Sequence, residues 1–224
     1  MSCEGASRLV ALELAGPAGP LEALLQECDS GPPAFAALVC HPHPLYGGTL
    51  DNKVVHRVAS TLHDLGGATL RFNFRGVGRS AGRFDHGAGE LEDARAALVW
   101  LRARLPGTAL LVAGFSFGAW VAARLAVLEP AVGRLVLIGP PVAGADFAVL
   151  RTAPVPKLVI QGTADETCPL SALEPEFATW AGPRRLETVE GATHFFDRRL
   201  GELAKALREG LQGPGFVPGS RLLP

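Results

Sequence analysis

Leu110-Leu111-Val112-Ala113-Gly114-Phe115-Ser116-Phe117-Gly118-Ala119-Trp120 is the stretch on which the reading of this chain turns. A short apolar run reaches a serine framed by Gly114 and Gly118, and a helix-forming run continues to Leu128. This is the G-x-S-x-G arrangement, in which a strand turns sharply into a helix and the serine stands at the turn in a strained backbone conformation. A side chain two residues to either side of the serine collides across so tight a turn, and glycine carries no Cβ. The expected result is a Ser116 Oγ exposed at the end of a sheet, with the positive end of a helix beneath it. The N–H of Phe117 is then free to hold an oxyanion.

Outward from that turn, apolar runs alternate with amphipathic ones. Toward the N-terminus, Arg8–Leu14 and Leu21–Cys28 read as an opening hairpin around a Gly-Pro-rich turn. Phe35–Cys40 and Ala68–Phe74 read as buried strands. Between them a helix from Lys53 carries the stripe Val54, Val58, Leu62 and Leu65 and stops at Gly66-Gly67. Glu90–Leu105 is a helix with acids early (Glu90, Glu92, Asp93) and bases late (Arg102, Arg104), as the helix dipole favours. Toward the C-terminus come strands at Leu135–Ile138, Leu158–Gln161 and Arg185–Val189, a helix between Pro169 and Trp180, and a last helix over Asp197–Leu211. Strands alternating with helices predict an α/β fold: a mostly parallel sheet with helices on both faces and an antiparallel hairpin at its start. The expected domain is 1–212, with an irregular Gly/Pro-rich tail over 213–224. The stretch Pro140–Pro156 is too short for a lid domain.

Composition excludes several classes. The formal net charge is −1 and charged residues make up 19 %, with the basic ones scattered, so no nucleic-acid footprint is expected. No apolar run approaches the roughly 18 residues of a membrane span. Met1–Pro20 lacks the basic and apolar regions of a signal peptide. Cys3, Cys28, Cys40 and Cys168 are widely spaced and suit a reducing compartment better than a disulfide scaffold, so a cytoplasmic location is expected.

A serine hydroxyl needs a base to take its proton, and the base needs an orienting acid. Asp165 lies just past a strand in Gly162-Thr163-Ala164-Asp165-Glu166, and His194 lies in the loop Gly191-Ala192-Thr193-His194-Phe195-Phe196. Both fall where strand C-terminal ends gather, in the order serine, acid, histidine. Asp165 is therefore preferred as the acid over Glu166 and Asp197, the latter only three residues beyond the histidine. The second oxyanion donor is expected from His41-Pro42-His43-Pro44-Leu45-Tyr46-Gly47-Gly48, at Leu45, with Tyr46 as the alternative. The competing reading of that loop is a metal site built from Cys40, His41 and His43, which have ligand-like residue types. Gly76-Val77-Gly78-Arg79-Ser80-Ala81 fits a dinucleotide fingerprint in its letters, but no helix follows, so a structural loop is expected and no cofactor. Cys168 reads as a small buried filler.

With these segments in place, the chain resembles an α/β-hydrolase along nearly its whole length, and more closely the small lidless group related to dienelactone hydrolases. The resemblance rests on His41-Pro42-His43-Pro44-Leu45-Tyr46-Gly47-Gly48, Asn73-Phe74-Arg75-Gly76-Val77-Gly78-Arg79-Ser80, Gly114-Phe115-Ser116-Phe117-Gly118, Gly162-Thr163-Ala164-Asp165 and Gly191-Ala192-Thr193-His194-Phe195-Phe196. It implies Ser116 as nucleophile, Asp165 as acid and His194 as base. Dienelactone hydrolases proper use a cysteine nucleophile, so their substrate does not carry over. The expectation is a serine hydrolase for small carboxylic esters or thioesters, without cofactor or metal. The competing classes are a metal-dependent hydrolase at His41, His43 and Cys40, and a non-catalytic binding module. The sequence leaves the oligomeric state open.

Overall fold

Strands whose every residue is buried must lie inside a sheet covered on both faces. The computed structural model describes residues 7–28 and 31–213. Its strands are β1 (Ser7–Gly16), β2 (Gly19–Cys28), β3 (Phe35–Cys40), β4 (Gly67–Phe72), β5 (Leu110–Phe115), β6 (Val132–Ile138), β7 (Lys157–Gly162) and β8 (Arg184–Val189). Every residue of β3, β4, β5 and β7 is buried. The eight strands form one sheet in the order β1-β2-β4-β3-β5-β6-β7-β8. β2 runs antiparallel to both β1 and β4, and all other neighbours are parallel.

The helices are α1 (Lys53–Asp64), α2 (Ala88–Arg104), α3 (Phe117–Leu128), α4 (Leu170–Thr179) and α5 (Leu200–Gln212). The two-residue alternation of a strand divides the core. Leu111, Ala113, Val136 and Ile138 pack with α1 (Val54, Val58, Leu62) and α5 (Leu203, Leu207). Leu110, Val112, Leu135 and Leu137 pack with α2 (Leu91, Leu98, Leu101) and α3 (Val121, Leu125) on the other face.

Several boundaries differ from expectation, three of them for a visible reason. The last helix begins at Leu200, because Phe196 and Arg198 have φ of 51° and 59°, which no helical turn accommodates. β4 ends at Phe72, where Asn73 and Phe74 turn their N–H groups to Glu22 O and to the His41 ring. The second helix starts two residues early, at Ala88, and Glu90 reaches back to accept from the N–H groups of Gly87 and Asp85.

The segment between β6 and β7 forms no lid. Its apolar residues Phe147 and Leu150 are buried, and Phe147 stacks on Trp180 at 5.7 Å. Cys40 and Cys168 are free and buried, whereas Cys28 is disulfide-bonded, a linkage that the expectation of a reducing compartment did not include. No helix among the described residues is long and apolar enough to cross a membrane. The expected tail lies outside the described residues beyond Gly213.

Candidate active site

The turn from β5 into α3 holds Ser116 at φ 54° and ψ −121°, a conformation costing on the order of 1–3 kcal/mol for a residue with a Cβ. Sheet and helix together hold it there: the Ser116 N–H donates to Ile138 O on β6 at 2.9 Å, and Ser116 O accepts from Ala119 N–H in the first turn of α3. The two framing glycines have different neighbours. A Cβ at Gly114 falls 2.1 Å from Gly118 O, across the turn, and one at Gly118 falls 2.4 Å from the carbonyl oxygens of Cys40 and His41 at the end of β3. Helix and strand thus approach closer than any side chain allows.

Two loops bring partners to Ser116. Asp165 stands in the turn after β7, where its Oδ1 accepts from the N–H groups of Thr167 and Cys168 at 2.9 and 2.8 Å. Its Oδ2 accepts from Gln161 Nε2 at 2.9 Å and from His194 Nδ1 at 2.8 Å. Burial pushes the titration of this carboxyl up, but the bonds from His194, Cys168 and Gln161 outweigh it and hold Asp165 below the usual carboxylate range. His194 arrives in the loop after β8 with Nε2 3.0 Å from Ser116 Oγ. An ionised carboxylate only accepts, so the histidine proton sits on Nδ1 and the Nε2 lone pair faces the serine hydroxyl. Gly139, at φ 52°, leaves the imidazole its room: a Cβ there falls 3.3 Å from His194 Cε1.

Ser116, His194 and Asp165 therefore form one hydrogen-bonded chain. Glu166 is exposed, and Asp197 forms a surface ion pair with Lys53.

The loop after β3 departs from expectation. The Leu45 N–H donates to His43 Nδ1 at 3.2 Å and the Tyr46 N–H donates to His43 O at 3.1 Å, so neither expected oxyanion donor is free. Phe117, first residue of α3, has no intrahelical acceptor for its N–H. His41 is a structural pin: Nδ1–H donates to Pro42 O at 2.6 Å and Nε2 accepts from the Phe74 N–H at 3.0 Å. Burial pulls its titration down to about 4, against a smaller opposing effect of the Pro42 bond, and both ring nitrogens are engaged, which leaves no lone pair for the metal site with Cys40 and His43.

The Gly76–Ala81 segment is structural. A Cβ at Gly78 strikes Glu22 Oε2 and Asn73 Nδ2, and Ser80 Oγ accepts from Glu22 N–H while donating to Asn73 O. Its continuation supplies Phe84, which with Phe117 and Tyr46 surrounds the His43 ring at centroid distances of 4.5–4.9 Å. Gln161, Gly139 and Phe84 are the site residues that sequence reasoning missed. Only Gln161 carried a signal, as the one polar residue closing an apolar strand run.

A family model described as the alpha/beta hydrolase fold matches residues 43–173. The chain is 38 % identical over 203 residues to an uncharacterized protein of Rickettsia prowazekii, covering 87 % of this chain and 85 % of that one. It is similar to a lidless α/β serine hydrolase of Xanthomonas campestris, with TM-score 0.85, 40 % identity, and 93 % and 95 % of the two chains covered. An α/β serine hydrolase homologue from Coxiella burnetii aligns with TM-score 0.86 and 39 % identity over 90 % of this chain and 97 % of its own.

Proposed function

This chain belongs to the α/β-hydrolase family, as an enzyme of its lidless serine-hydrolase kind, and from that premise we propose that it cleaves carboxylic esters or thioesters of small acyl groups through a Ser116-His194-Asp165 triad. The observation that carries the reading is the unbroken hydrogen-bonded chain from Ser116 Oγ through His194 to Asp165. His194 Nε2 takes the hydroxyl proton as Oγ attacks the carbonyl carbon, and Asp165 stabilises the imidazolium that forms. The Phe117 N–H holds the developing oxyanion. With Leu45 and Tyr46 engaged and Pro42 and Pro44 lacking an N–H, the favoured second donor among the remaining N–H groups of the loop is that of His43, whose ring packs 4.9 Å from that of Phe117. His194 then protonates the leaving group, and a water activated by the same nitrogen releases the acyl group.

A fluorophosphonate probe tests this directly. It labels the wild type at Ser116 and leaves Ser116→Ala unlabelled, and kcat on a short-chain ester falls by roughly 10⁴–10⁶ in the variant with its circular dichroism unchanged. Absence of labelling in the wild type favours the non-catalytic binding module, and near wild-type activity in the variant places the nucleophile elsewhere.

A further inference from the structure

Four aromatic side chains gather beside the nucleophile, and the reaction above leaves their rings without a task. The His43 ring stands at the centre, with the rings of Tyr46, Phe84 and Phe117 at centroid distances of 4.5, 4.8 and 4.9 Å. Phe117 also meets Phe84 at 6.0 Å and Trp120 at 5.7 Å. His43, Phe84 and Phe117 are half-buried and Tyr46 is exposed, so the group packs on itself and still presents ring surface to solvent. Phe117 follows Ser116 directly in the chain, which puts this surface next to the reacting serine.

The rings are held in place. Phe84 lies in the loop between β4 and α2, and two fully buried carboxylates fix that loop. Glu90 accepts from the N–H groups of Asp85 and Gly87 at 3.0 and 2.7 Å. Asp93 takes the Arg75 guanidinium through two bonds of 2.9 and 2.8 Å, and the Arg75 N–H as well. A carboxylate is tolerated in a buried position only where such bonds are made. Here they hold the loop that presents Phe84. Gly87 lets the same loop close on α3, since a Cβ there falls 2.1 Å from Trp120 Cζ3. The bond from the Leu45 N–H to Nδ1 fixes the His43 ring from the other side.

The two flanks of Ser116 differ. The His194 ring packs 4.9 Å from Phe115, which belongs to the core under α1 and α5, whereas Phe117 packs against the core under α2 and α3. His194 protonates the leaving group, so the alcohol or thiol portion lies on its flank and the acyl portion is left the aromatic one. We propose that His43, Tyr46, Phe84 and Phe117 form the acyl subsite, and that its preferred occupant is an aryl-bearing acyl group of the phenylacetyl type. The proposal rests on the hydrolase reading above and narrows its substrate class. An aromatic guest meets aromatic walls edge-to-face or offset-stacked, a gain that a saturated ring of the same size does not have. A ring also packs its carbons sideways, and so stays on a short wall that a straight chain of equal carbon count runs past.

The test compares methyl phenylacetate with methyl cyclohexylacetate, which share a leaving group and a carbon count. In the wild type kcat/KM is expected to be about tenfold higher for the phenyl ester. Phe84→Leu brings that ratio toward one, and because both esters are measured on one preparation, any loss of folded protein cancels. Tyr46→Leu, at a side chain 85 % exposed, gives the same shift should Phe84→Leu fail to fold. Equal values for the pair in the wild type, or a ratio that neither variant lowers, overturns the subsite. So does a preference confined to benzyl acetate over cyclohexylmethyl acetate, which puts the ring on the leaving-group flank. Titration with phenylacetate and with cyclohexylacetate, followed by the NMR shifts of the His43 ring protons, reads the site without turnover. Phenylacetate binding that Phe84→Leu weakens, in a protein inert to every ester, sustains the aryl site while sinking the hydrolase reading. An inert protein that binds the two acids equally, or neither, sinks both.

Discussion

Four donors converge on the two oxygens of Asp165, two of them backbone N–H groups from its own turn. That arrangement leaves one lone-pair direction for His194 and decides the outcome of substitution. Asp165→Asn puts an amide where both oxygens accept, so either an N–H faces the turn's own N–H groups or it faces His194 and forces the wrong tautomer. A loss on the order of 10⁴ in kcat is expected for Asp165→Asn. Asp197→Asn, which touches only a surface pair with Lys53, should stay within a few-fold of the wild type. Steady-state kinetics of the two variants on one ester check this, and a larger loss from Asp197→Asn reassigns the acid. The three residues of the chain were legible in the sequence because each carries a local signal: glycines around a serine, an aspartate just past a strand, a histidine in the loop before the last helix. The engagement of the Leu45 and Tyr46 N–H groups within their own loop was not legible. Which N–H stays free depends on how the His43 ring turns back on its own loop, and no spacing encodes that.

At the scale of elements, β7 serves the site at one end and holds a buried cation at the other. Its C-terminal end delivers Gln161 and Asp165, and its first residue is Lys157, fully buried, with Nζ donating to the carbonyl oxygens of Ala153 and Ala181. Burial, helped by the nearby Arg184 charge, lowers the Lys157 titration to about 8. The unfolded chain titrates near the ordinary lysine value of about 10.4 and so holds a proton the native state has released between those two pH values. Native stability therefore rises with pH across that window. Urea midpoints at about pH 7.5 and 9.5 should show the wild type gaining on Lys157→Met as pH rises, and parallel changes in the two would place the titration elsewhere. The inner strands were legible as apolar runs, and Phe35–Cys40 coincides with β3. The start of α5 was not, because Phe196 and Arg198 take left-handed backbone conformations to steer the His194 loop, and nothing in their side chains announces it.

Across the whole molecule, the stretch from Pro140 to Pro156 determines how much of a substrate the enzyme can cover. The absence of a lid was legible from a residue count; where those residues go was not. The apolar residues of the stretch, Phe147 and Leu150, are both spent on the core, and the Trp120 Nε1–H donates to Asp146 O, tying the segment down. Apolar surface near the site falls instead to Leu45, Tyr46 and Phe195, which are 65 %, 85 % and 43 % exposed. Tyr46 packs on His43 and Phe195 on Phe115 and His194, so these side chains flank the first carbons of an acyl group and enclose nothing further. Each methylene of a longer chain gains about 0.8 kcal/mol only where surface replaces its water. Values of kcat/KM on a series of esters of graded length should therefore peak at roughly two to six acyl carbons and gain nothing beyond, since the return per methylene vanishes once the rim is passed. A steady rise to about twelve carbons would require an acyl groove supplied by a second copy of the chain or by residues beyond Gly213, and the lidless argument for small substrates would then fail.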